Sequence, residues 1–474
     1  MRKLQKRFVA FILTFSMVIS SSAFVIAEEN YRYDNGPAYD YELTYDYVSE
    51  ETYGYNNDTA YENGIVFVDD FLNEPEFVAD LRAELVEEFG EAFMDNHDRA
   101  SEMVDTFMDS LPQRRDGTII YPESFGGIYI DSDGNLVVLI VGDSVEGTVM
   151  EAMGRTVGTD IRFVEFSFAE VESVWQAIYD YMEIYGYRPD EHVVVDCPVM
   201  NNLSAISIDV ISNKVNVYLY DASQYSIDIF RSMVIDHPIL NFKSEPDIPV
   251  GYVAYIGLYN ADEDYNLQRG LIAPFSVRSG QAIYIRYTQT MARASSIGFR
   301  ARCRSNRNLG FVTHAHGLQV GTRFYRNRTI NAANFVGTVS RRNLSTDTSF
   351  VTLSTSASML NSAVNGTTIG AVMHNNQAVG QAVTRISDGG INSARTSSGT
   401  IRELNRTINV PTVGNVRTHL ASYLSDGGDS GGIIIRSVGA TAQISGIHLG
   451  RHSAANAVFV PTPNVLVGLN VDLH

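Results

Sequence analysis

The chain has 474 residues, 45% of them hydrophobic, and a formal net charge of −20 at pH 7. That length exceeds a single compact core and implies two or more domains, while the apolar content excludes a wholly disordered chain. Two cysteines, Cys197 and Cys303, are too few for a disulfide scaffold, so packing has to supply the stability; they form one bridge or stay as two free thiols.

Residues 1–27 carry a basic head (Arg2, Lys3, Lys6, Arg7), an apolar middle and small residues ending Val25-Ile-Ala27. This pattern predicts a secretory signal peptide cut after Ala27. No later apolar run reaches the length of a membrane span, so the mature protein is expected to be soluble, exported and extracellular. Residues 28–63 are acidic and rich in tyrosine, without aliphatic periodicity, and read as a disordered spacer.

An α+β region is expected over 64–246. Phe77, Leu81, Leu85 and Phe89 recur every four residues and predict a helix with an ordinary core-facing stripe. A repeat follows: GIYIDSDGNLVVLI (127–140) and AISIDVISNKVNVYL (205–219) share Ile-x-Ile-Asp, an asparagine four residues on, and valines beyond. Both read as β-hairpins, each followed by an amphipathic helix, FAEVESVWQAIYDYMEIY and SQYSIDIFRSMVIDH. Asp131 and Asp209 are read as turn residues rather than catalysts. Residues 247–276 are irregular and read as a linker. From 277 to 474 the text becomes Gly, Ser, Thr, Asn and Val-rich with short strands, as in an all-β sandwich or barrel.

Charge changes at the same boundary. From Val277 onward there are 19 arginines, no lysine and six acidic residues, a net of +13, which leaves −33 for everything before it. Opposite signs on the two parts predict that they attract one another. Nucleic acid is the other partner of a basic domain, but the arginines are scattered and form no aromatic-rich stripe. No cofactor motif and no metal-ligand cluster is apparent.

Within the last 200 residues three short segments combine in one chemistry. SDGGDSGGIII (425–435) sets one Asp-Ser pair between two Gly-Gly pairs ahead of an apolar run, the text of a tight amide-lined turn that exposes a serine. A serine hydroxyl needs a base, and the base an orienting carboxylate. GFVTHAHG (310–317) supplies His314 and His316 at a strand end, and STDTSFVTL (345–353) puts Asp347 ahead of another strand.

GDSGG (428–432) resembles the nucleophile motif of chymotrypsin-like serine proteases, and GFVTHAHG resembles the GFVTAGHCG segment of their bacterial α-lytic protease and streptogrisin branch. SSIGFRARCRSNRNLGFVT, DTSFVTL, SSGTI and FVPTPNVLVGLNVDL are similar to further elements of that branch, and the order His316, Asp347, Ser430 is the family order. The resemblance covers about 277–474. It implies a double β-barrel, hence a multidomain chain with a chymotrypsin-like all-β part behind an α+β pro-region of two related hairpin-helix units.

It also implies a secreted serine endopeptidase made as a proenzyme. Ser430 would attack the scissile carbonyl, His316 would take its proton, Asp347 would orient His316, and the amides of Gly428 and Ser430 would form the oxyanion hole. Gly431 and Gly432 would leave room for substrate, and a buried Asp429 would need a cation, Arg385 or Arg395. His314 is a rival base and Asp388 a rival orienter. The family's His-Cys is His316-Gly317 here, so the usual disulfide of that loop is missing although Cys303 stands near its other end.

GIHLG (446–450) resembles the GIHxG of glutamate-specific relatives, whose histidine binds the substrate carboxylate. By that likeness His448, with Gly450, Arg451 and Ser425, would bind a Glu or Asp side chain; Asp426 speaks against it, and small, apolar or basic side chains stay open. The partners implied are polypeptide substrates and the chain's own acidic pro-region on the basic protease domain, with no membrane once the signal is removed. Glu263 is a self-cleavage candidate in the linker. Two other readings stand beside this one: a front part retained as a targeting domain, and a catalytically inactive secreted binding or adhesion protein on a protease fold.

Overall fold

The repeat hairpins form where the polar turns predict. Strands β1 (Phe125–Ile130) and β2 (Leu136–Val141) are joined by a turn in which Asp131 Oδ1 accepts the amides of Asp133 and Asn135 at 2.9 and 2.8 Å. Strands β4 (Leu203–Asp209) and β5 (Lys214–Leu219) are closed the same way, Asp209 Oδ1 accepting from Ser212 N at 3.1 Å. Both aspartates are turn residues, as expected.

The computed structural model describes residues 75–114, 119–143, 159–186, 197–245, 258–260, 274–286, 291–390, 394–410, 413–438 and 441–474. The predicted signal peptide, the spacer, Glu263 and most of the linker lie outside the described residues. Helices α1 (Pro75–Phe89) and α2 (Glu91–Ser110) open the described part, and Leu81 and Leu85 of the predicted stripe are both buried to 2% exposure.

Each repeat unit holds one strand more than the sequence suggested. β3 (Thr159–Val164) lies parallel to β2, and β6 (Leu240–Ser244) parallel to β5. Their apolar content is too low to stand out: TDIRFV faces solvent at three of its six positions. Helix α3 (Phe168–Tyr185), N-capped by Ser167, follows β3 rather than the first hairpin, and its buried stripe Val171, Trp175, Ile178 and Met182 shares a core with β4 and β5. Tyr129, Val137 and Leu139 of the first hairpin belong to the same core, so the helix ties the first unit to the second. Helices α4 (Pro198–Asn202) and α5 (Gln224–Met233) complete that unit.

Among the described residues the rear part is all-β, in two barrels, apart from a 3-10 turn at Ala332–Asn334 and its last helix. The linker already contributes β7 (Leu258–Asn260), antiparallel to residues 291–293, and β8 (Phe275–Ser279) begins inside the stretch read as irregular. Strands β9 (Ala282–Arg286), β10 (Met291–Ser296), β11 (Arg300–Cys303), β12 (Leu309–His314), β13 (Arg323–Tyr325), β14 (Phe335–Asn343) and β15 (Thr348–Leu353) form the first barrel around Ile283, Phe311, Phe324, Val336 and Val351. Next come β16 (Ala357–Ala363), parallel to β8, and β17 (Ile369–Met373).

The second barrel is a closed ring. It runs β18 (Ala382–Ile386), β21 (Ile433–Val438), β22 (Thr441–Ser453), β23 (Asn456–Pro461), β20 (Gly414–Ala421) and β19 (Thr396–Val410), and β19 pairs back onto β18. Helix α6 (Thr462–Leu469), ended by Asn470 in the left-handed conformation, leads into β24 (Val471–Leu473), which returns to β11 of the first barrel. Cys197 and Cys303 are both buried free thiols.

β19 is also where the front region joins. It is 15 residues long, and β4 pairs antiparallel along it, so that β4-β5-β6 extends the sheet of the second barrel. Three arginines cross this seam. Arg436 pairs with Asp105 of α2 at 2.8 Å, and Arg417 stacks over Trp175 of α3 at 4.4 Å. Arg406, 1% exposed, sits over the Tyr218 ring at 4.3 Å and pairs with Glu245 and Glu403, each at 2.9 Å. Burial alone would raise the Glu245 carboxyl, but His452, Arg406 and Ser204 around it outweigh that and hold it at about 2. At the other end of the seam the buried His97 of α2 accepts the Ala382 amide at 2.8 Å through Nε2.

Candidate active site

Pairing of β12 with β15 puts His314 opposite Thr348, so the turn after one strand and the residue before the other meet at the same barrel end. There His316 Nδ1 and Asp347 Oδ2 are 2.5 Å apart. Asp347 is fully buried, and Oδ1 accepts from Ala315 N at 3.2 Å. Its backbone is left-handed (φ 46°), a conformation that costs a non-glycine residue energy and tends to persist where function requires a fixed geometry. Gly317 follows with φ 69°, and a Cβ there would fall 2.2 Å from the Arg293 guanidinium. A larger residue there would need the Arg293 guanidinium to shift and would have to adopt a left-handed backbone.

His314 does not compete for Asp347. Its ring stacks on His316 at 4.1 Å, and burial, then the charges of His316 and Arg293, push it well below its ordinary pKa. Asp388 lies away from both histidines in the hydrogen-bond pattern and pairs with Arg395 at 3.2 Å.

The GDSGG turn is held by contacts on every side. Gly428 has φ 101°, and a Cβ on it would sit 1.9 Å from the Gly389 carbonyl oxygen, so only glycine fits. The predicted reason for Gly431 and Gly432 is corrected by the packing: added Cβ atoms would meet Thr313 Oγ1 at 2.1 Å and Ser387 Cβ at 2.7 Å. Their space is filled by the protein's own strands, not kept for a ligand. That close approach is also what seats the turn against β12, two residues before His316.

Asp429 is fully buried, and of the two candidate cations Arg385 is its partner, at 2.9 Å and equally buried. Both groups make further hydrogen bonds. Arg385 also donates to Leu424 O and Ala394 O at 2.9 and 2.8 Å and to Ser387 Oγ, while Asp429 accepts from Ser387 Oγ at 2.7 Å and Asp426 N at 2.8 Å.

Ser430 Oγ donates to Leu449 O at 2.8 Å, and no hydrogen bond joins it to His316, whose Nε2 is buried without a partner among the described residues. Ser295 Oγ holds the Ser430 carbonyl at 3.1 Å and lies 3.3 Å from Thr313 Oγ1 of β12, which ties the serine's backbone to the histidine strand.

Beside the turn lies a cavity of about 880 Å³. Ser425, Asp426 and Arg451 line it with Arg385, and Glu84, Glu87 and Glu88 of α1 line it from the front region. The Ser425 hydroxyl is buried without a partner among the described residues, and Gly450 faces open space. His448 is not on the cavity wall. It is fully buried behind the turn, its backbone bonded to Gly431 N and Gly432 O at 2.8 and 2.9 Å, its Nδ1 3.0 Å from the Tyr423 hydroxyl, and its Nε2 unpartnered. Tyr423 escaped the sequence reading because nothing in SYLSDGG marks it.

A family model described as a Pro-like N-terminal domain matches residues 88–156, and one described as a Pro-like C-terminal domain matches residues 172–245. No curated protein matches the sequence. Among solved structures, the chain is similar to protease A of Thermobifida fusca and to a Nocardiopsis protease. Each is 23% identical at a TM-score of 0.34, over 42% of this chain and 98% and 100% of theirs. It is also similar to a glutamic-acid-specific serine protease described as using a histidine triad in substrate binding, 24% identical over 42% of this chain and 100% of that one, TM-score 0.34. The chain thus carries two segments that match models of Pro-like domains, and the solved structures it is similar to include bacterial serine proteases.

Proposed function

We propose that the chain is a secreted serine endopeptidase made as a proenzyme, with Ser430 as nucleophile, His316 as general base and Asp347 as its orienter. The observation that carries this reading is the bond of His316 Nδ1 to the buried Asp347 carboxylate, with Nε2 left without a partner among the described residues. A neutral imidazole that gives its Nδ1 proton to a carboxylate keeps the lone pair on Nε2, the form a base needs. A rotation about the Ser430 side-chain bond would trade the Leu449 carbonyl for that lone pair. The oxyanion of the intermediate would then fall to the amides of Gly428 and Ser430.

The seam and the cavity support the proenzyme part. Glu84, Glu87 and Glu88 share the cavity with Ser425 and Arg451, so a substrate side chain entering there would have to displace α1. The acidic front region would act as an electrostatic hold on the basic domain through Arg436, Arg417 and Arg406. Acidic side chains are the proposed substrate class, bound by the Ser425 hydroxyl on the cavity wall and by His448 Nε2 behind it, which lack partners among the described residues, with Gly450 and Arg451 at the rim.

The second reading, an inactive secreted binding or adhesion protein, is favoured by one observation, the Ser430 hydroxyl bonded to Leu449 instead of His316. Residues 28–474 treated with a serine-directed phosphonate and weighed intact decide between them. Self-trimming in the linker, a single phosphonate on Ser430 of the trimmed product and cuts after Glu or Asp in a peptide library are expected. A chain that stays whole and takes no label, as precursor or after limited proteolysis of the linker, leaves the binding protein.

The seam carries a pH prediction for the uncleaved Ser430→Ala chain. A depressed carboxylate stabilises the folded form above its unfolded pKa and loses that contribution as pH falls through its folded one. With Glu245 at about 2 against an ordinary 4.5, its contribution is complete above pH 4.5 and disappears from there down through pH 2. Adding Glu245→Gln is expected to lower the melting temperature at neutral pH and flatten its decline in acid. Parallel melting curves with and without Glu245→Gln between about pH 6 and about pH 3 would contradict the assignment.

A further inference from the structure

We propose that Tyr423 is the positioning residue of the specificity site: its hydroxyl fixes which nitrogen of His448 carries the proton that meets the substrate carboxylate. The inference rests on the acid-accepting reading above. Tyr423 lies two residues beyond β20, fully buried, its ring edge-on to His448 with centroids 5.5 Å apart. The hydroxyl is 3.0 Å from His448 Nδ1 and 3.5 Å from the Val458 carbonyl, so the imidazole is the nearer acceptor. A hydroxyl donating into Nδ1 leaves the proton of a neutral ring on Nε2.

That proton has no partner in the described residues, and a buried orphan donor costs free energy until an acceptor arrives. Burial, then the charges of Arg385 and His316, push His448 well below its ordinary pKa, against a smaller opposing contribution from the Val458 carbonyl, which already lies near the ring. Arg385 is held by Asp429 and His316 by Asp347, and the nearby His314 is neutral for the same reason as His448. With the ring uncharged, an anion can be bound only by an N–H pointing at it. Without the phenol, Nδ1–H can turn to the Val458 carbonyl and present a lone pair to the carboxylate, which repels it.

Wild-type chain and Tyr423→Phe, both matured, are compared on peptide pairs with Glu or Gln at the cut, from about pH 5 to about pH 9. In wild type the preference for Glu is expected to be flat across that range. In Tyr423→Phe, kcat/KM for Glu is expected to fall about tenfold or more, mostly through KM, while Gln changes less than about twofold. The remaining Glu preference of the variant should stay low across the range, because a ring that burial keeps uncharged gains no second proton there. An unchanged Glu to Gln ratio in the variant, or an equal loss on both peptides, overturns the role of Tyr423 alone. A wild-type preference that collapses as pH rises means the ring works charged, and also overturns it. No preference of wild type for Glu over Gln removes the acid-accepting reading and this inference with it.

Discussion

Replacing Ser430 by alanine is expected to leave the chain at full length and to cut peptide hydrolysis by about 10⁶-fold, with His316→Ala costing about the same. The two losses should not add, because serine and base act as one unit and removing either abolishes the attack. Asp347→Asn tests the orienter separately. The amide keeps the shape but can donate to His316 Nδ1, which moves the ring proton to Nε2 and removes the lone pair, at a cost of about 10⁴-fold in kcat. His314→Gln distinguishes the two histidines, since His314 makes no bond to Asp347 and should keep most of the activity. A Ser430→Ala chain that still trims itself would exclude the proposed nucleophile.

Arg385→Met is expected to be the most damaging single change outside the proposed triad. It leaves the fully buried Asp429 carboxylate without its cation, and breaking one side of a buried pair typically costs about 3–5 kcal/mol. Function should suffer with stability, because Asp429 also anchors Asp426 N and Ser387 Oγ around the turn that carries Gly428 and Ser430. Denaturant unfolding of the Ser430→Ala chain with and without Arg385→Met reads the stability term. Adding Asp429→Leu should return much of the stability but none of the activity, since an apolar pair can fill the site without shaping the turn. A loss below about 1 kcal/mol for Arg385→Met would mean that Asp429 is solvated.

Local chemistry made much of this readable in advance. A turn that only glycine can adopt had to be written with glycine, so GDSGG was visible as text, and the packing at Gly428 shows why. The hairpins were legible because apolar alternation and Asp-rich turns act over a few residues. β3 and β6 were not, since a half-exposed edge strand is defined by its neighbour and not by its own composition. The Ile433–Ile435 run was read simply as apolar. In the fold Ile434 joins the core shared with Trp175 and Val217 of the front region, while Ile433 and Ile435 join another, a division no single-strand pattern reveals.

The sequence by itself determined the division into an acidic front and an arginine-rich rear, the turn that exposes Ser430 and the short list of residues beside it. Tertiary structure alone chose Arg385 over Arg395 as the partner of Asp429, gave the place of the substrate to protein atoms around Gly431 and Gly432, and brought Tyr423 to His448. The physical reason is range. Backbone conformation is written into neighbouring residues, whereas the partner of a buried charge is whichever group the strands carry within hydrogen-bond reach, and that is fixed only when distant segments pack.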